Sequence, residues 1–138
     1  MRLRELAEKV FRGIKEVEIY VSSHYKPHTN IESYSIYLAI CGHEDDENIY
    51  DERPVLILRT SGEGLDRNEI EAFRITSIIS NRKDTFLIKN FKKAGLDKLS
   101  EIKLGYKFRI RKNWLGKKLG QLQDPDFTDL VWKINSIN

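Results

Sequence analysis

Residues Lys103 to Lys118 read KLGYKFRIRKNWLGKK, and this stretch is the most strongly polarised part of the 138-residue chain. From Tyr106 onward, apolar and basic residues alternate strictly, which predicts a half-buried β-strand with one apolar and one basic face. The basic face would carry Lys107, Arg109 and Arg111. Like charges at every second position repel one another, so such a face is explained either by an anionic partner or by acidic side chains across the sheet.

The charge of the chain is segregated. The Lys103 to Lys118 stretch holds seven basic residues and no acidic one, while the whole chain has a net charge of only +3, so the remainder is net negative. With 40% hydrophobic residues, 33% charged residues and only three prolines, the composition is typical of a soluble globular protein. The length fits one domain, which we expect to span residues 1–138.

Three sequence features bear on the cellular setting. The single cysteine, Cys41, cannot form an internal disulfide. No stretch reaches the roughly 18 consecutive apolar residues that a membrane span needs. Residues 1–13 alternate charged with apolar residues and lack the unbroken hydrophobic segment of a signal peptide. We therefore expect a cytoplasmic protein with no membrane partner.

Hydrophobic periodicity divides the first third of the chain into three elements. Apolar residues recur at helical spacing from Leu3 to Ile14, which predicts an N-terminal helix that ends near Gly13. The period then changes to two, which predicts a strand over Lys15 to His24. After a turn signal at Tyr25 to Asn30, a second alternating run at Tyr34 to Ile40 predicts a strand that pairs with the first as a hairpin.

The middle of the chain predicts a strand and a helix. Pro54 to Thr60 is an apolar run typical of a buried strand, with Pro54 at its first position. Further on, Asp66 and Glu69 have the spacing of a capping box. This pattern predicts a middle helix that continues to about Ser80.

The last elements complete the predicted fold. Thr85 to Phe91 predicts a fourth strand, and the basic strand follows from Tyr106 to Arg111. Asp124 and Pro125 precede apolar residues at helical spacing, which predicts a C-terminal helix. Together the elements predict an α+β fold, in which an antiparallel sheet of four to five strands is covered by an N-terminal, a middle and a C-terminal helix.

Residue types that bind metals are few. His24, His28, Cys41 and His43 have the ligand types of a zinc site. In the predicted hairpin, however, Cys41 lies roughly 30 Å from the first two histidines. The acidic segment Glu44 to Glu52 has the carboxylates that divalent cations prefer and is better explained as a solvated loop. We therefore predict no metal ion and no cofactor.

Catalytic patterns are equally sparse. Glu101-Ile-Lys103 has the acid-x-lysine form of metal-dependent nucleases, with Asp84 and Asp97 upstream as candidate partners. The loop Ser61 to Gly64 lies between a predicted strand and a predicted helix, where phosphate-binding loops occur, but it lacks a Walker lysine. The sequence thus assigns no catalytic residue with support from its local context.

The predicted order of elements over residues 2–80 resembles that of a double-stranded RNA-binding domain. Leu3 to Lys9 is similar to the first helix of that family, Pro27-His28 falls in its hairpin loop, and Gly62 to Gly64 precedes its second helix. The resemblance implies RNA binding, although Asp66 to Glu71 lacks the lysine cluster with which the family holds phosphates. Extended by the strand at 85–91, the order also resembles the core of restriction-endonuclease-like proteins, without their strand carboxylates.

Three functional hypotheses follow. The first is a small nucleic-acid-binding protein, for DNA or RNA, that grips phosphates through the basic strand and the following loop. In this hypothesis Trp114 is available for stacking on a base, and the alternative for the same residue is an ordinary buried core position, which the sequence favours. The alternative is a protein-interaction module, an inhibitor or accessory subunit, that docks onto a protein partner or forms a homodimer. The third is a metal-dependent nuclease, active or degenerate. The nucleic-acid-binding residues of the first hypothesis are Lys103, Lys107, Arg109, Arg111, Lys112, Trp114, Lys117 and Lys118.

Overall fold

The computed structural model describes residues 9–43 and 45–137, and within these ranges the chain forms seven strands and two α-helices. The first half contains β1 (Val10–Arg12), α1 (Gly13–His24), β2 (Ser35–Gly42), β3 (Ile49–Arg59) and β4 (Glu69–Thr76). The second half contains β5 (Thr85–Ile88), β6 (Ser100–Arg111), a 3-10 helix (Lys112–Trp114), β7 (Leu115–Gln121) and α2 (Asp126–Ile137). No helix among the described residues is long and apolar enough to cross a membrane.

All seven strands belong to one antiparallel sheet in the order β5-β6-β4-β3-β2-β7, and β1 adds to β3. In a flat sheet, β6 and β7 would be four strand spacings apart, about 19 Å. Arg111 at the end of β6 and Leu115 at the start of β7 are only four residues apart, however, and four residues span about 14 Å at most. The sheet must therefore curl, so that the end of β6 approaches the start of β7.

Two apolar clusters fill the opposite faces of the curled sheet. On one face, Val17 and Val21 of α1 pack with Ile70 of β4 and with other strand residues. On the other face, Leu130 of α2 packs with Phe73 of β4. Because β4 contributes to both clusters, it is buried on both sides.

The predicted fold class is wrong, because the chain is mostly sheet and two of the three predicted helices are not where the sequence placed them. Residues 10–12 of the predicted N-terminal helix form β1, and residues 1–8 lie outside the described residues. The predicted middle helix is β4. Its capping-box hydrogen bond is present, since the Asp66 N–H donates to Glu69 Oε1 at 3.2 Å, but the bond closes a turn and the chain then continues as a strand.

The predicted hairpin is also wrong, because residues 15–24 belong to α1 and β2 pairs with β3 and β7. Burial explains the helix. Val17 is 0% and Val21 6% exposed, whereas Ile19, which a strand would place on the same face, is 60% exposed. Pro54 lies inside β3, and there it pairs with Leu38 of β2 between the β3 segments that pair with β1 and β4. The missing N–H therefore disrupts neither of those two pairings.

Candidate nucleic-acid interface

The basic strand of the sequence is β6, and its predicted alternation is present. Lys107, Arg109 and Arg111 are exposed, whereas Ile110 is buried against α1. Two carboxylates of β4 lie directly across the sheet. In the strand register, Glu71 is opposite Arg109, and Glu69 is opposite Arg111. The acidic side chains that would compensate the basic face are therefore present within the same sheet.

The carboxylates of β4 do not neutralise the charge of Arg109. The buried Glu71 carboxylate accepts a hydrogen bond from Arg59 Nε at 2.8 Å and lies 3.9 Å from Lys107 Nζ. Arg59 also donates to the Glu63 carbonyl oxygen at 2.9 Å, which ties the β3–β4 loop to this carboxylate. Within the described residues, the Arg109 guanidinium makes no hydrogen bond or ion pair. Arg109 is therefore free to bind an external anion.

Trp114 does not fit the predicted base-stacking role. The residue is 8% exposed and belongs to the cluster beneath α1. Tyr50 packs edge-on against the indole at 5.8 Å, and the Arg111 guanidinium lies 5.5 Å from the ring centroid. Trp114 is thus a core residue that supports Arg111, and the aromatic platform predicted from the sequence is absent at this position.

The remaining basic residues are spread over the surface. Lys118 of β7 lies 3.9 Å from Glu32, and Lys103 of β6 lies 6.0 Å from the centroid of the Tyr106 ring. Lys112 is in the 3-10 helix, and Lys117 is exposed on β7. The eight predicted residues therefore do not form one continuous stripe.

Many of the basic residues lie around four open clefts, and they are not confined to the single strand β6. Every cleft has at least two Lys or Arg side chains in its lining. Clefts I and II contain as many carboxylates as cations, whereas clefts III and IV each have one more cation than carboxylates. Cleft I (about 350 Å³) contains Arg82 and Lys103, and cleft II (about 620 Å³) contains Arg53 and Lys98. Cleft III (about 490 Å³) contains Lys26 and Lys117, and cleft IV (about 1020 Å³) contains Arg67, Arg111 and Lys112.

Shared lining residues show that the four clefts are joined in a series. Thr76 lines both cleft I and cleft II. Leu38 and Glu52 line both cleft II and cleft III. His28 lines both cleft III and cleft IV. An elongated series of open clefts with cations along its length fits an extended ligand better than a compact one.

Cleft II has the side chains that best suit phosphate chemistry. Arg53 donates from Nε to Asp51 Oδ2 at 2.9 Å, and His43 Nε2 donates to the same oxygen at 3.1 Å. Because Asp51 is buried, it fixes the arginine at the edge of the cleft. The hydroxyl groups of Thr76 and Ser77 also line this cleft. The sequence analysis missed Arg53 and Thr76, because no local motif marks them and only the pairing of β3 with β4 brings their strands together.

The acid-x-lysine pair of the nuclease hypothesis is in cleft I, but Glu101 has a structural role. Its carboxylate accepts hydrogen bonds from Ser80 N at 3.0 Å and Ser80 Oγ at 2.7 Å. Burial alone would raise the pKa of Glu101, but these bonds and others from Asn81 and Thr85 hold the pKa below its ordinary value. A carboxylate of this kind is a weak base. Asp84 shares cleft I, whereas Asp97 lines cleft II, so the four residues are not brought together.

The histidines and the cysteine have other partners. His28 Nε2 donates to the carbonyl oxygens of Leu115 and Gly116, at 3.2 and 2.7 Å. Cys41 is buried among apolar residues. In the part of the chain that the structure describes, no group of three or more His, Cys, Asp and Glu side chains has the arrangement of a metal site.

Comparison with solved structures identifies the fold. The fold is similar to that of a mycobacterial toxin and of two mycobacterial endoribonucleases. The Mycobacterium tuberculosis toxin MazF-mt6 has 21% sequence identity and a TM-score of 0.55, and the match covers 74% of this chain and 93% of the toxin. An endoribonuclease from mycobacterial species in complex with its cognate antitoxin has 14% identity and a TM-score of 0.56, with 78% and 93% of the two chains covered.

A further endoribonuclease from mycobacterial species has 13% identity and a TM-score of 0.55, and the match covers 78% of this chain and 91% of that one. No protein-family model and no curated protein sequence matches this chain. The similarity is therefore one of architecture. About a quarter of this chain lies outside the matched regions, whereas the neighbours are matched over nearly their whole length.

Proposed function

We propose that this protein binds single-stranded RNA along the joined clefts I to IV and cleaves it in cleft II. The main support is the groove itself, in which every cleft has at least two basic side chains and adjacent clefts share lining residues. Cations spaced along an open groove can follow a flexible phosphate backbone, as they do in proteins that bind single strands. The fold similarity to two endoribonuclease structures makes RNA the favoured nucleic acid.

The eight residues predicted from the sequence divide within this proposal. Four of them line the groove, and Lys107 and Arg109 extend the basic surface beside it on β6. Lys118 lies outside the four clefts, 3.9 Å from Glu32, and Trp114 is buried and has no direct role in binding. The four groove residues are Lys103, Arg111, Lys112 and Lys117.

Cleft II contains groups for each part of an RNA cleavage reaction. In this reaction, the 2′-oxygen attacks the adjacent phosphorus, the bond from phosphorus to the 5′-oxygen breaks, and the products carry a 2′,3′-cyclic phosphate and a 5′-hydroxyl. Arg53 and the Thr76 hydroxyl would hydrogen-bond the phosphate oxygens, on which charge develops. The Asp97 carboxylate at the edge of the cleft would take the proton of the 2′-hydroxyl, and Lys98 would donate one to the leaving oxygen.

A cleavage and binding assay tests both parts of this function. We expect the protein to bind and cut a labelled RNA but not the DNA of the same sequence, which lacks the 2′-hydroxyl. Replacement R53Q should leave RNA bound and slow cleavage about 100-fold or more, because one fixed donor to the transition state is lost. Replacement K92Q removes an equal charge at an exposed position outside the four clefts and should change neither property. Absence of RNA binding at low salt would overturn the proposal, and binding without cleavage would remove its catalytic part.

A protein partner is the second candidate role. One of the endoribonuclease structures contains a cognate antitoxin. In this chain, Ile78 and Trp132 are 77% and 74% exposed, which is unusual for large apolar side chains. If these side chains form an interface between two copies, sedimentation equilibrium should show that the wild type dimerises as its concentration rises and that W132S does so less. If the wild type and W132S are monomers at every concentration, a homodimer through α2 is excluded.

A further inference from the structure

Cleft III differs from the other three clefts in its aromatic lining. Four of its lining residues have aromatic rings, and two lysines and a carboxylate complete the wall. The rings come from the end of α1 and the segment that follows it, namely Tyr20, His24, Tyr25 and His28. Cleft III adjoins cleft II directly through Leu38 and Glu52. A nucleotide next to the one held in cleft II would therefore meet these rings.

One face of the His24 ring is open. Its other face stacks on Tyr20, with the ring centroids 4.2 Å apart and the planes 15° from parallel. Tyr20 is itself supported by Phe11, at 4.8 Å between centroids. His24 is exposed and ends the stack, and its Nδ1 donates to the Tyr20 carbonyl oxygen at 3.1 Å, which fixes the ring orientation. A fixed aromatic ring with one open face is a platform for a nucleobase.

A fixed hydrogen-bond acceptor lines the same cleft. The Tyr25 hydroxyl donates to Glu52 Oε2 and orients the carboxylate. The Tyr25 ring lies directly on the backbone of Gly116, where an added Cβ would be 2.6 Å from Tyr25 Cζ, so this packing requires glycine. A carboxylate offers about four acceptor positions. The phenol groups of Tyr25 and Tyr20 hydrogen-bond Glu52, and the carboxylate keeps capacity to accept N–H groups from a base.

We propose that cleft III is a nucleobase-binding subsite, in which an unpaired base stacks on the open face of His24 and Glu52 accepts N–H groups from its Watson–Crick edge. Guanine fits best, since it presents two adjacent N–H donors there. Uracil fits worst, because its single N–H lies between two carbonyl oxygens that the carboxylate would repel. Lys26 and Lys117 contact the flanking phosphates. The subsite rests on the proposed function, and it would give the enzyme a sequence preference next to the cleaved bond.

Two variants and a matched control test the subsite through the affinity of short RNA oligonucleotides. We expect H24A to weaken binding of a guanine-containing RNA about tenfold or more, because the stacking surface is lost. Replacement E52Q should abolish the preference for guanine over uracil, and the affinity for an all-uracil RNA should rise, because the charge that repels the uracil carbonyls is removed. The control S23A changes the neighbouring exposed residue of α1 and should bind like the wild type. Thermal unfolding checks that each variant is folded.

Ring-proton NMR separates failure of the subsite from failure of the proposed function. Titration of the wild type with 5′-GMP should shift the His24 and Tyr20 ring signals upfield, and 5′-UMP should shift them less. If RNA binds but these signals do not move and H24A binds like the wild type, the subsite is overturned and the proposed function stands. If no RNA binds, the proposed function is overturned, and the 5′-GMP titration alone then supports or overturns the subsite.

Discussion

Glu71 of β4 lies directly opposite Arg109 of β6, yet its carboxylate is occupied by two other cations, Arg59 at 2.8 Å and Lys107 at 3.9 Å. The internal acid therefore neutralises part of the basic strand and leaves one guanidinium uncompensated among the described residues. The sequence allows two explanations of the basic face, and each applies to one residue. The internal carboxylate compensates the charge of Lys107, and an external anion would compensate the charge of Arg109. The two residues can be separated by mutation.

The first prediction concerns Glu71. Replacement E71Q should destabilise the protein by about 1–3 kcal/mol, because Arg59 and Lys107 lose a buried charged acceptor. The same change should tighten RNA binding at low salt, since it raises the net charge of the surface. Urea unfolding and an RNA titration measure the two effects. The control E63Q makes the same charge change at an exposed loop position and should alter stability by less than about 0.5 kcal/mol. Equal stability of the two variants would contradict the prediction.

The second prediction concerns the phosphate contacts of β6. The double replacement R109Q/R111Q should weaken binding of unrelated RNA sequences to a similar extent, because phosphate contacts carry no sequence information. The slope of log affinity against log salt should decrease by about 0.7 for each lost contact with a single strand. Replacement of Lys92 and Lys93, which are exposed outside the clefts, removes the same charge and is the control. An unchanged slope in R109Q/R111Q would show that neither arginine contacts phosphate.

The third prediction uses the two tryptophans as a matched pair. Trp114 is 8% exposed and Trp132 is 74% exposed. Replacement W114A should lower the free energy of unfolding by about 3–5 kcal/mol, as expected for removal of a core aromatic residue. Replacement W132A should change it by less than about 0.5 kcal/mol. Chemical denaturation of both variants decides the matter. A W114A variant that is stable but binds RNA weakly would restore the stacking role.

The fourth prediction concerns pH. Burial raises the pKa of the Cys41 thiol from 9.0 to about 12. An unfolded chain loses this proton near pH 9, so the stability from a neutral buried thiol is fully present below that pH and is lost progressively as the pH rises toward 12. Between pH 8 and 10 the wild type should lose on the order of 1 kcal/mol more than C41A. Parallel stability curves for the two proteins would refute this prediction.

The spacing of apolar residues predicts a helix or strand correctly when only one side of that element is buried. Residues 106–111 of β6 alternate because only the apolar side of this part packs beneath α1. The helix α2 was predicted from an apolar stripe that includes the buried Leu130. β4 has no alternation to detect, because Ile70 faces one cluster and Phe73 the other. In α1, Val17 and Val21 satisfy both the helical and the strand period, and only the exposure of Ile19 decides between them.

The sequence predicted only those groove residues that belong to a stretch of consecutive or alternating basic residues. Arg111 and Lys112 line cleft IV, and Lys117 lines cleft III, as members of the basic stretch. Arg53 and Tyr25 could not be found in this way, because each is an ordinary residue of its own segment. They line the groove because the end of α1 lies against β3, where the Tyr25 hydroxyl donates to Glu52, and this contact is a property of the tertiary structure.

The pairing of β2 with β7 determines how late in synthesis and folding the groove can form. Ser35 pairs with Gln121, and β7 contributes Gly116 and Lys117 to cleft III. Contacts between such distant residues form late, since the long intervening loop must first be closed. During synthesis, a nascent chain that ends at β6 has the basic strand but lacks part of this cleft. We therefore expect the RNA-binding surface to mature only after translation has passed β7, so that the ribosome's own RNA meets an incomplete groove.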